Sequence, residues 1–185
     1  MSGEVPHQRL FFALWPSAGV RRRLEAVAWR VQRGRRVPAI NLHLTLVFLG
    51  RCDAAARVRA VTAANVLAAS VPAAFRLHLD RAGVWRRQGI AYLAPGAPPE
   101  ALGDLAEGLA STLAAHGLPR ERRRFRPHVT LARRAGTPPP EPDPVDWPVT
   151  GFRLLASEQG PDGVRYRCLG HWPLAGRGVG GEPPL

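Results

Sequence analysis

At 185 residues, with 45% hydrophobic and 22% charged positions, the chain is long enough for one compact domain with a sizeable core, and this composition excludes a largely disordered protein. The formal net charge is +12 and the sequence contains no lysine, so every basic side chain is an arginine and a polyanionic partner such as RNA is favoured. No apolar run nears the ~18 residues of a membrane span, and the opening MSGEVPHQRL lacks a secretory signal's basic start and apolar stretch, so no membrane association and a cytoplasmic location are expected.

Residues 8–15, QRLFFALW, are apolar and aromatic and predict a buried strand ending at Pro16. From Ser17 to about position 32, Val20, Leu24, Val27, Ala28 and Val31 recur at helical spacing, with Ser17 as the cap and Gly34 as the end. Residues 41–49, NLHLTLVFL, alternate as a strand that stops at Gly50. An alanine-rich helix is predicted over 54–69, then a strand carrying Phe75, Leu77 and Leu79. Residues 89–94 read as a strand, and 100–116 as a helix with Leu102, Leu105, Leu109 and Leu113 on its buried stripe and Gly117 as its stop. RPHVTLAR at 126–133 is a further strand. The proline-laden stretch 136–148 is expected to be an extended surface loop and not a strand. A hairpin of strands 151–157 and 164–170 follows, turning at Gly160 to Gly163, and 176–185 reads as a flexible tail behind a single domain spanning 1–175.

The order strand, helix, strand thus occurs twice, and each copy ends in the same pattern: His, any residue, Thr, apolar. Side chains on a strand alternate faces, so His43 and Thr45 share one face while Leu42, Leu44 and Leu46 point to the core, and His128 and Thr130 repeat the arrangement. Chance gives such a doubled row with odds of roughly 0.013. Two such strands paired about an approximate two-fold axis hold two imidazoles across one cleft. Histidine titrates near 6.5, which suits one ring to give a proton and the other to take one. The remaining histidines, His7, His78, His116 and His171, are read as satisfied core residues. Neither motif has a further His, Cys, Asp or Glu at ligand spacing, so no metal is expected; Cys52 and Cys168 form no CxxC pair and are read as ordinary thiols.

NLHLTLVFLG and RPHVTLAR resemble the paired signatures of the 2H phosphoesterase superfamily, and RLFFALW, the AGVW of residues 82–85 and RYRCLGHWPL are similar to its bacterial RNA 2',3'-cyclic phosphodiesterase branch, also called 2'-5' RNA ligases. The resemblance covers residues 9–174. It implies an α+β fold of two pseudo-symmetric lobes, each an antiparallel sheet with outer helices, around a central groove. It implies hydrolysis of RNA 2',3'-cyclic phosphate ends, or of a small cyclic phosphate, to 2'-phosphomonoesters. Acid/base chemistry by two imidazoles requires no cofactor, and a monomer is expected. The resemblance also implies roles: His43 as proton donor, His128 as proton acceptor, and Thr45, Thr130 and Arg133 as phosphate-binding residues. Arg120, Arg122, Arg123, Arg124 and Arg126 are candidates to guide an RNA strand to the groove. Two alternatives stay open: the reverse joining of RNA ends through a 2'-5' bond, and RNA binding without catalysis.

Overall fold

A computed structural model describes residues 7–70, 73–121, 123–140, 143–161 and 163–175. Strand β1 (Gln8–Leu14) is buried on both faces, with Leu10, Phe12 and Leu14 turned to the main core and Phe11 and Ala13 to a small second cluster beside Leu155. Pro16 ends the strand, and the Ser17 hydroxyl accepts from the Val20 N–H at 3.4 Å to start helix α1 (Ala18–Trp29), whose Val20, Leu24, Val27 and Ala28 are buried. A two-residue strand, β2 (Arg35–Arg36), and a single 3₁₀ turn (Ala39–Asn41) lead to β3 (Leu44–Cys52). The Asp53 carboxylate caps α2 (Ala54–Ala69) by accepting from the Ala56 N–H at 2.6 Å. Then come β4 (Phe75–Trp85), β5 (Ile90–Pro95), α3 (Glu100–Ala115), β6 (Val129–Arg133), β7 (Val145–Val149), β8 (Gly151–Gly160) and β9 (Gly163–Pro173).

These strands form an antiparallel sheet in the order β7-β4-β5-β6-β3-β1-β8-β9, with β2 added beside β6. Its two four-stranded halves meet where β6 pairs with β3, through the single residue pair Leu44 and Val129. The order is symmetric about that junction, with β3 matching β6, β1 matching β5, β8 matching β4 and β9 matching β7. The α+β fold of two pseudo-symmetric lobes is what the structure contains, although the lobes share one sheet.

The helices cross over between lobes. Helix α1, which follows β1, packs on β6 and β7 of the other half, and α3, which follows β5, packs on β3. Burying the α3 leucines Leu102, Leu105, Leu109 and Leu113 in the main core contributes about 1.5–3 kcal/mol each. Each lobe therefore supplies the helix that covers the other, which locks the junction that carries the histidines.

Several expectations need correction. Residues 145–149 are a strand, not loop: β7 pairs with β4 at the sheet edge, burying Val145, Trp147 and Val149 while Asp146 and Pro148 face outward. An edge strand needs no ladder N–H on its solvent side, so Pro148 is tolerated. Gly50 does not stop β3; at φ +73 it makes a bulge, where the register moves from Leu10 opposite Gly50 to Phe11 opposite Phe48. Helix α1 ends at Trp29, and Gly34, at φ +121, serves another purpose: a Cβ there would come within 2.8 Å of the Arg133 carbonyl oxygen, so its absence lets β2 lie against β6. The strands carrying the motifs start later than predicted, at Leu44 and Val129. Nor do the other four histidines lie in the core: His7, His78 and His171 are exposed, and His116 is half-buried with its Nδ1 2.8 Å from the Thr112 carbonyl. Cys52 is buried, Cys168 is exposed, and both are free thiols. The predicted tail lies outside the described residues.

Candidate active site

His43 and His128 each stand one residue before the strand they were predicted to occupy, immediately before the junction pair Leu44 and Val129. Leu42, Leu44, Val129 and Leu131 are fully buried, which turns the alternate positions, His43, Thr45, His128 and Thr130, to the opposite face. In the antiparallel register of that pair, His43 lies across from Thr130 and His128 across from Thr45. The four side chains surround the pseudo-two-fold axis.

Both imidazoles are fixed by the same device. The His43 Nδ1 is 2.7 Å from the Asn41 carbonyl oxygen, and the His128 Nδ1 is 2.7 Å from the Arg126 carbonyl oxygen, two residues upstream in each case. A carbonyl oxygen only accepts, so each Nδ1 carries the hydrogen and Nε2 is left as the nitrogen that can gain or lose a proton. The His43 Nε2 lies 3.1 Å from the Thr45 hydroxyl, which can donate to it while the ring is neutral. Asn41 is the one buried polar residue among those described, and its amide donates to the Val164 carbonyl at 2.7 Å, tying the first motif to β9.

Aromatic rings enclose both histidines, unequally. Trp15 stacks on His43 at 5.8 Å and 11°, with Phe11 at 5.0 Å and the Tyr166 edge at 5.2 Å. His128 has the Trp85 edge at 4.5 Å and Tyr92 at 6.1 Å. Burial pushes the His43 pKa down to about 4 against the pull of the Asn41 carbonyl, assisted by His128 when that ring is protonated and by the Arg133 charge. Burial also lowers the His128 pKa, opposed by the Arg126 carbonyl and assisted by Arg133. Both rings are therefore neutral at pH 7 in the free protein.

The five predicted site residues, His43, Thr45, His128, Thr130 and Arg133, line one open groove of about 650 Å³. That size accommodates a ligand of mononucleotide class. Its other cations, Arg9, Arg35 and Arg36, were not foreseen. Strand β2 delivers the last two, because Arg35 pairs with Arg133 and Arg36 with Ala132, and Trp29 stacks on the Arg36 guanidinium at 3.9 Å. None of the described residues lining the groove is acidic, so it is built for an anion. Only the RGRR run at 33–36 could have hinted at this, and a two-residue strand has no period to read. Among the described residues no three His, Cys, Asp or Glu side chains are grouped to hold a metal ion, and no helix is long and apolar enough to cross a membrane.

A family model for the 2'-5' RNA ligase superfamily matches residues 15–160. The chain belongs to that superfamily. It is 38% identical over 176 residues to the RNA 2',3'-cyclic phosphodiesterase of Escherichia coli (strain K12), covering 90% of this chain and 97% of the relative. A protein of the same name from Thermus thermophilus is 35% identical over 182 residues, covering 91% of each. The crystal structure of E. coli LigT complexed with 3'-AMP matches with a TM-score of 0.79 at 35% identity, over 91% of this chain and 99% of that one. Membership of this 2H phosphoesterase superfamily bears out the resemblance read from the doubled motif, and with it the enzyme class, a phosphodiesterase.

Proposed function

We propose that the protein hydrolyses 2',3'-cyclic phosphates at RNA ends to 2'-phosphomonoesters, with His43 as general acid and His128 as general base. The carrying observation is that two imidazoles, each with Nδ1–H bound to a backbone carbonyl, reach one cationic groove from the two sides of the junction. Water enters beside His128, whose neutral Nε2 takes its proton as the oxygen attacks phosphorus. The bond from phosphorus to the ribose 3' oxygen breaks on the opposite side, and that oxygen takes a proton from the His43 Nε2. The products are a 2'-phosphate and a free 3' hydroxyl, with His128 now protonated and His43 neutral; exchange with solvent resets the pair.

His43 must enter this cycle protonated, and in the free protein it is held neutral, with a pKa of about 4. The substrate supplies the missing charge. A phosphate anion in the groove offsets Arg133 and gives a buried imidazolium a counterion, which raises the proton affinity of His43 when it is needed. Once Nε2 is protonated, Thr45 no longer donates to it, and its hydroxyl can turn to a non-bridging oxygen. In this reading Thr130 and Arg133, which line the same groove, hold the remaining oxygens as charge shifts between them. That E. coli LigT has been crystallised with phosphate and with 3'-AMP supports a nucleotide phosphate as the occupant.

The test is product mapping on an RNA oligomer ending in a 2',3'-cyclic phosphate, with and without excess chelator. A 2'-phosphate end formed equally well in chelator is expected. A 3'-phosphate end, a joined RNA, or strict dependence on added metal would each displace this reading.

A further inference from the structure

The first groove is not the end of the cleft. Thr45, Phe48, Ile90 and His128 also line a second cavity, of about 1590 Å³, that runs from His128 toward the loop before β6. Pockets for single small molecules span roughly 300–1,000 Å³, so this one has room for more than a mononucleotide. Its walls combine aromatic faces with arginines. Phe48 is 45% exposed on β3, and Trp85, whose edge meets His128 at 4.5 Å, lines the cavity beside that ring. Exposed rings along a cationic track are the ordinary equipment for single-stranded nucleic acid, since bases stack on the rings and phosphates meet the cations.

The arginines are not equivalent. Arg120 is paired with Glu107 at 2.5 Å and Arg123 with Glu121 at 3.1 Å, so both are already compensated. Arg122 lies outside the described residues. Arg124 and Arg126 line the cavity with no carboxylate partner among the described residues. Among the described residues, the run that looks uniform in sequence therefore leaves two side chains with charge to offer.

We propose that this second cavity binds the RNA strand on the 5' side of the terminal nucleoside, with Phe48 and Trp85 as stacking faces and Arg124 and Arg126 on its phosphates. This rests on the cyclic phosphate reading of the first groove and adds where the strand leading to the terminal nucleoside is held. Arg124 is the side chain to test, because it touches neither histidine and only its charge is at issue.

The experiment compares a mononucleoside 2',3'-cyclic phosphate with a short RNA oligomer carrying the same terminal nucleoside, using the wild type and Arg124→Glu. The wild type is expected to show a lower KM for the oligomer. Arg124→Glu should raise that KM roughly five- to tenfold while leaving turnover of the mononucleoside unchanged. The salt dependence of oligomer binding should also fall, by a slope of about 0.7 for one lost phosphate contact. Equal KM values for the two substrates in the wild type, or an equal loss on both in Arg124→Glu, would overturn the proposal. Inactivity of the wild type on both substrates would instead count against the cyclic phosphate reading. Fluorescence anisotropy with a 3'-phosphorylated RNA oligomer then decides the cavity separately: weaker binding by Arg124→Glu supports it, and unchanged binding removes it.

Discussion

The two motif histidines share a backbone device and differ in what surrounds it. His43 and His128 both tie Nδ1 to the carbonyl two residues upstream, at 2.7 Å in each case. His43 is then stacked under Trp15 and boxed by Phe11 and Tyr166, whereas His128 meets the edge of Trp85 and opens onto both cavities. The pseudo-symmetry of the sheet sets orientation and tautomer, while the unsymmetrical aromatic lining sets proton affinity. Two copies of one motif can in this way be given different work without any change in the motif itself.

The strongest challenge to that comparison is removal of each ring. His43→Ala and His128→Ala are each expected to lower kcat by about 10²–10⁴-fold. Circular dichroism should show both variants folded, because neither ring is part of the main core. Near-normal turnover in either would end the pair mechanism.

The acid and base roles separate next. A phosphodiester with a p-nitrophenolate leaving group needs no proton on departure, so His43→Ala should recover much of its deficit on that substrate and His128→Ala should not. Recovery by His128→Ala alone would exchange the two roles. Arg133→Ala should cost about 10²–10³-fold in kcat, and Thr45→Val and Thr130→Val less, if these side chains stabilise charge on the phosphate oxygens. A change confined to KM would make them binding groups only.

Nuclear magnetic resonance titration sharpens the electrostatic difference. In the free protein the His43 ring should remain neutral down to about pH 4, and His128 should titrate below the usual 6.5. Inorganic phosphate should move His43 upward; an unmoved His43 would remove the substrate-supplied proton affinity proposed above.

The smallest effect expected is on stability. A folded-state pKa below the unfolded value means that the unfolded chain binds the extra proton first. The stabilisation from a neutral His43 is therefore complete above about pH 6.5 and is lost as pH falls toward 4. Replacing His43 with Gln should flatten the part of the acid denaturation profile between those values, and an unchanged profile would mean the ring is less enclosed than its aromatic neighbours indicate.

Much of the site was legible because alternation on a strand is local. HLTL and HVTL announce a His and a Thr on one face, and the neighbouring leucines announce which face is core. Arg133 was reachable only by its place in the family's motif. Arg35 and Arg36 escaped because β2 exists only where Gly34 allows close approach to β6. The same limit hid β7: prolines at 138–140, 142, 144 and 148 speak for a loop, and only a vacant sheet edge beside β4 makes Val145, Trp147 and Val149 a strand.

By itself the chain's order of residues determined the three helices, the strands other than β2 and β7, the doubled motif and the face on which each imidazole emerges, since these follow from side-chain periods of 2 and 3.6 within short segments. Tertiary structure decided the rest: that Leu44 pairs with Val129, that each lobe's helix covers the other lobe, and that Trp15 and Tyr166 close over one histidine only. The physical reason is that proton affinity depends on burial and on charge from distant parts of the chain, and neither is written in any local spacing.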